Sequence, residues 1–407
     1  MPSPGFTLIE LLCVFFWRLR RARHFEILSK RIIVNRYRAT EIDGIRGWAA
    51  FWVLLFHVFH EMLTKLLPWV NSPWLTPVLN GRLPVCIFFV LSGDALTVGR
   101  FSRGTPVDRL VARRYTRLTV PILASCLLVF LVRLLHWDFH QAASVIVNRP
   151  EWLGSFIDFP FSVISLLRYA LIGVYANNMT DSTYNPFLWT MSVEMVGSMM
   201  VFLLCYQTTR HLKTLLALLG AYLFLLDSYY CLFLAGMLLG RLRAEGFFEH
   251  ERPWLYLALL ASAITALGLL RGRPVTLQVD LVIAVAVVFV CYGHKGVRRL
   301  MQSDLSMWLG KISFPLYLVQ FAMIISLESW LIVRWNFGRP AWLVGIGLVT
   351  VAVSLMVATL FQRVEFQLIE LADRTMGYLF GMTSRKWPGV ELRPGFERPA
   401  LESAKGP

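Results

Sequence analysis

Charge is what this chain has least of. Of its 407 residues only 16% are charged, against 57% hydrophobic, whereas soluble domains carry roughly 25% charged residues. There is too little charge to clothe a water-soluble globule of this size, and with a mean hydropathy of +0.58 lipid is the solvent that suits the excess apolar surface. Acidic residues are the scarcer sign, 25 against 40 Lys and Arg, for a net charge of +15. Such a balance can mark a nucleic-acid partner. Here, however, the arginines gather in short clusters between apolar runs, as membrane proteins mark their cytoplasmic side, and no nucleic acid is expected. Cysteine is sparse too. Cys13, Cys86, Cys126, Cys205, Cys231 and Cys291 all sit in or beside apolar runs, and no two form C-x-x-C, so neither a disulfide framework nor a zinc site is expected. G-x-G-x-x-G, P-loop, H-E-x-x-H and G-x-S-x-G patterns are missing, which leaves the chemistries they carry without support. The one H-x-x-x-H, at His136 and His140, lacks a glutamate and an obvious third ligand. It reads as an interfacial pair beside Trp137 and Phe139, and no metal is expected.

What the chain does have is apolar runs approaching the ~20 residues that span ~30 Å of hydrocarbon. They begin near Trp48, Pro84, Leu118, Phe187, Leu215, Tyr229, Trp254, Thr276, Met307 and Ala341. An eleventh candidate, Phe161–Val174, is shorter and interrupted by Arg168. With the basic residues Arg18 to Arg38 in the cytoplasm, the arginines from Arg100 to Arg117 also fall inside. Ten crossings follow, with both termini cytoplasmic and the 161–174 segment amphipathic or re-entrant, as a membrane tolerates only where protein or water covers its polar groups. The expected architecture is thus an all-α, multi-pass integral membrane protein. Residues 1–39 form a basic, partly amphipathic cytoplasmic segment, 40–370 the membrane domain, and 371–407 a cytoplasmic tail, disordered toward its end. Residues 5–12, GFTLIELL, resemble a prepilin processing site, but the apolar stretch stops at Trp17 before Arg18, Arg20, Arg21 and Arg23. An interfacial helix fits better. Asn178-Met179-Thr180 is a glycosylation sequon on the non-cytoplasmic side.

Titratable groups inside a bilayer cost at least ~2.5–3.5 kcal/mol each, so each one asks for a function. His57 lies about ten residues, ~15 Å, into the first run, and Arg46 and Asp43 share its helical stripe. An imidazole in apolar surroundings is expected to be uncharged at pH 7, the state a general base requires; packing against a neighbouring helix is the plain alternative. Glu194, a third of the way into its run, either orients His57 as the acid of a triad does or forms a structural pair. Asp94, after Ser92-Gly93, pairs with an arginine or meets substrate. Arg114 and Arg117 are a turn apart and, with Arg113, suit a phosphate or CoA pyrophosphate, or else mark topology and anionic lipid. His60, Lys311, Gln320 and Arg273 need no more than snorkelling or interhelical hydrogen bonds.

Six blocks, in order, resemble the acyltransferase 3 family: EIDGIRGWAAFWVLLFH at 41–57, FFVLSGD at 88–94, RRYTRLTVP at 113–121, FLWTMSVEM at 187–195, LGKISFPLYLVQ at 309–320 and FQRVEF at 361–366. The resemblance implies ten membrane helices and O-acyl transfer, most often of acetyl, from cytosolic acyl-CoA (acetyl-CoA) to a hydroxyl. It places Arg46 and His57 on the family's essential pair, Arg113, Arg114 and Arg117 on its R-x-x-R-type element, and Glu194 on its acidic position; the CoA phosphates are expected at those arginines, and Glu194 or Asp43 is expected to orient His57. Gln320 stands where many members have histidine, and Asp94 replaces an apolar residue after Ser-Gly. Asp94, Ser92 and Trp189 are therefore expected at the acceptor pocket. Without an extracytoplasmic esterase-like domain, the chain suits a lipophilic small-molecule acceptor such as a secondary metabolite. A cell-surface or lipid-linked sugar is the second choice, and a transporter with a buried His/Glu proton relay is the competing class.

Overall fold

The computed structural model describes residues 40–72, 75, 79–101, 107–176, 182–205, 212–249, 253–269, 276–335 and 338–379. The basic N-terminal segment, the Asn178 sequon, Arg273 and the tail from residue 380 lie outside the described residues. Among those described, every regular element is a helix: α1 (Thr40–Leu55), α2 (Arg82–Phe101), α3 (Val107–Leu134), α4 (His140–Ile146), α5 (Val163–Leu171), α6 (Thr190–Leu204), α7 (Leu212–Leu225), α8 (Tyr230–Ala244), α9 (Pro253–Leu269), α10 (Leu277–Gly293), α11 (Lys295–Met301), α12 (Asp304–Met323), α13 (Ser329–Trp335) and α14 (Pro340–Leu379).

Each of the ten apolar runs lies on one of these helices. Five spans among the described residues are long and apolar enough to cross a bilayer: Thr40–Glu61, Val107–Leu134, Pro186–Leu204, Asp304–Trp335 and Pro340–Ala372. A sixth results if α10 and α11, bent by 95° at their junction, are one span. Large apolar side chains face outward along them, Leu127 and Leu131 on α3 and Leu348, Met356 and Leu360 on α14, as lipid-facing helices require. The 161–174 segment becomes α5 and a short 3₁₀ turn, Gly173–Tyr175. Ser162 and Ser165 cap α5 reciprocally, and at nine residues the helix is too short to span.

Two glycine crossings set the geometry of the bundle. A Cβ on Gly47 would collide with the backbone of Leu309 and Gly310, and one on Gly310 would collide with the carbonyl of Asp43, so α1 and α12 touch backbone to backbone. The two helices run parallel. Glu41 meets Gln302 (3.0 Å) and Trp48 meets Ser306 (2.9 Å) at their starts, and His57 and Gln320 each lie ten residues past Gly47 and Gly310. At the second crossing, Gly93 of α2 rests on the Phe233 backbone of α8, and Gly236 of α8 on the Val90 carbonyl. Both α1 and α12 run into π-helical turns, Phe56–Glu61 and Ile324–Glu328, a local widening of the helix that recurs at functional sites.

Candidate active site

His57 sits in the π turn that ends the first span. Its ring stacks on Phe187, with centroids 3.9 Å apart and planes within 10°. Phe187 belongs to the 3₁₀ turn Pro186–Trp189 that leads into α6. Asn185 caps this turn at the Phe187 amide, 3.1 Å, and its own amide reaches Ser125 and the Leu318 carbonyl. Tyr317 of α12 donates to the Phe187 carbonyl and shares a 2.7 Å hydrogen bond with Thr190. The ring under His57 is thus fixed from three helices. His57 keeps some accessible surface, although its Nδ1 is buried and unpaired in the protein.

Neither carboxylate expected from the sequence acts on the imidazole; Gln320 lies near it, with Nε2 donating to the Tyr317 carbonyl at 3.2 Å and Oε1 unpaired. Asp43 lies on the first turn of α1, fourteen residues before His57, or about 21 Å along the axis. A shared stripe does not bring it to the imidazole, and it cannot be the orienting acid. Glu194 is buried and ion-paired with Arg114, whose Nε also donates to Ser198 at 3.0 Å. Of the two roles open to Glu194, the pair is the one formed.

Arg46 comes close enough to Arg114 to act on its charge. Arg46 and the Arg114–Glu194 pair thus lie near one another between α1, α3 and α6. Arg113 is half-buried and Arg117 exposed on the same helix, and Arg117 acts on Glu365 of α14. Nearby, a cavity of about 430 Å³ is lined by Lys311, Gln362, Arg363, Phe366 and Gln367. Lys311 is nine residues from Gln320, which puts the two on opposite faces of α12, so this cavity is not the His57 site.

Ser92, Asp94 and Trp189 do not converge on His57. Asp94 is fully buried, with one oxygen 2.6 Å from Arg243 and the other 2.5 Å from the Tyr292 hydroxyl. It knots α2, α8 and α10 together. Ser92 is buried on the same helix, while Trp189 is 43% exposed and lies against Tyr229. Of the two roles open to Asp94, the arginine pair is the one formed, and its partner is Arg243. His136 and His140 also separate. His140 is buried, with Nε2 2.9 Å from the Phe156 carbonyl; burial holds its pKa below the usual imidazole range, while the Phe156 carbonyl and Asp138 act the other way.

Residues 40–359 match the family model described as an acyltransferase domain, that of the acyltransferase 3 family. The chain belongs to that family. No curated protein and no solved structure matches it. Membership makes it an acyltransferase, and the apolar spans agree with a multi-pass membrane body. The matched stretch holds every described residue of the His57 and Arg114 clusters, from Arg46 to Gln320. Sequence reasoning missed Phe187 as the ring under the imidazole. The signal available was an aromatic directly after Asn-Pro at a helix start, where a capped turn fixes the side chain.

Proposed function

We propose that this acyltransferase moves an acyl group, most simply acetyl, from cytosolic acyl-CoA to a hydroxyl on a small lipophilic molecule such as a secondary metabolite. The observation carrying the reading is His57 itself, an imidazole in a π turn inside an apolar bundle, with accessible surface and with Arg46 and Arg114 aligned toward the end of α1 and α3 from which CoA would come. Ten crossings with both termini cytoplasmic put that end in the cytosol. The CoA phosphates meet Arg46, Arg113, Arg114 and Arg117, guanidinium forks being suited to phosphate. Glu194 holds Arg114 in place and does not touch the reacting atoms. The thioester then extends along the bundle toward His57.

The acceptor hydroxyl gives its proton to His57 as its oxygen attacks the thioester carbonyl. The C–S bond breaks, the ester forms, and the imidazolium returns the proton to the departing CoA thiolate, leaving His57 neutral again. The Phe187 ring stacked on the imidazole fixes its plane. No metal takes part in this scheme. His57→Ala is expected to abolish acyl transfer while expression and membrane insertion persist, measured with radiolabelled acetyl-CoA in native membranes. Full turnover in that variant refutes the assignment.

A further inference from the structure

We propose that Trp152 and Phe156 form the acceptor subsite over His57, and that this subsite selects a hydroxyl carried on a flat apolar body over one on a bare sugar. The proposal rests on the acyl-transfer reading and extends it to the acceptor. The segment from His136 to Phe159 lies at the far end of the bundle from the arginines: α3 runs from Arg113 and Arg117 at one end to Leu134 at the other, and α1 from Arg46 to the π turn. The segment is tied to both π turns. Arg149 donates to the Glu61 carbonyl and to its Oε2, each at 2.9 Å, and so grips the turn that carries His57. The Phe139 amide donates to the Ile325 carbonyl at 2.9 Å, and the His140 bond to the Phe156 carbonyl closes the segment on itself.

Held this way, Phe156 meets Phe187 edge-on at 6.2 Å and Phe321 at 5.3 Å, and Trp152 lies nearly parallel to Phe187 at 6.5 Å. Phe187 is the ring stacked on the imidazole. Phe187 and Phe321 are buried, whereas Trp152, Phe156 and His57 keep accessible surface. The accessible rings around Phe187, the ring on which His57 stacks, are therefore an aromatic wall an acceptor can touch. On this segment Arg149 holds Glu61 and Glu151, and Arg133 holds Asp138, so these charges are engaged with one another. A sugar brings several hydroxyls, each of which loses free energy if it is buried without a partner. A flat apolar body gains by stacking on aromatic faces.

The test uses the full chain in lipid nanodiscs with radiolabelled acetyl-CoA and two acceptors, 2-naphthaleneethanol and methyl glucoside. The wild type is expected to acetylate the naphthyl alcohol about tenfold faster than the glucoside at equal concentration. Trp152→Ala and Phe156→Ala are expected to raise KM for the naphthyl alcohol by about tenfold and to leave KM for acetyl-CoA unmoved. If either alanine variant melts markedly lower, Trp152→Phe and Phe156→Leu decide, with smaller increases in the same direction. Equal or better use of methyl glucoside, an acceptor KM that does not move, or equal rises in both KM values overturns the subsite. So does a wild type that hydrolyses acetyl-CoA and acetylates neither alcohol. A wild type that neither binds nor cleaves acetyl-CoA strikes the acyl-CoA reading itself.

Discussion

The group fixed against His57 is an aromatic ring, Phe187, stacked at 3.9 Å, which can hold the imidazole's plane but brings no charge to an imidazolium. Phe187→Leu should therefore lose an aromatic contact worth about 1 kcal/mol, or roughly a fivefold loss in kcat. KM for acyl-CoA should stay where it is. A kcat as low as that of His57→Ala would mean the ring does more than orient. Glu194 has a different kind of importance. Glu194→Ala leaves Arg114 without its carboxylate, and loss of one partner from a buried pair costs about 3–5 kcal/mol. We expect a marked fall in the melting temperature in detergent, partly recovered in the double variant Glu194→Ala/Arg114→Leu. Individual polar residues were legible in the sequence because each is expensive in an apolar run. Their partners were not, since pairing depends on which helix faces which. Asp43 shows the limit: a helical wheel puts it on the His57 stripe but says nothing of the 21 Å rise between them.

Helices and their contacts obey a different logic. The ten runs became helices because an apolar backbone in lipid must bond to itself, so their existence could be read directly. Their endings could not: the extension of the Met307 run through a π turn to Trp335 has no simple sequence signature. Nor was the α1–α12 crossing anticipated, although Gly44, Gly47 and Gly310 were in view. Gly47→Ala places a methyl against the Gly310 backbone, and overpacking of this kind costs typically about 1–3 kcal/mol. Lower yield and a lower melting temperature should follow, whereas Gly345→Ala, with open space around it, should behave as wild type. The segment across the far end has its own pH signature. His140 is buried and its folded-state pKa lies below the unfolded value of about 6.5. Its contribution to stability is present above pH ~6.5 and is lost as pH falls through the folded-state value, because the unfolded chain then binds the extra proton. Melting temperatures between pH 8 and 5 should fall less steeply in His140→Gln than in the wild type.

For the molecule as a whole, outward leucines and five long apolar spans call for a lipid environment. The protein should stay in the pellet after an alkaline carbonate wash and be released by mild detergent; release by carbonate alone would contradict the membrane reading. Scarcity of charge was enough to anticipate this solvent, while the family blocks were needed to anticipate the chemistry. One consequence reaches across all three scales. Because α1 and α12 touch backbone to backbone at Gly47 and Gly310, that crossing has no long side chain to swing aside and cannot serve as a doorway. In the proposed reaction, substrates would then come to the imidazole from faces of the bundle turned away from that crossing, and the crossing would serve to hold the two helices in register.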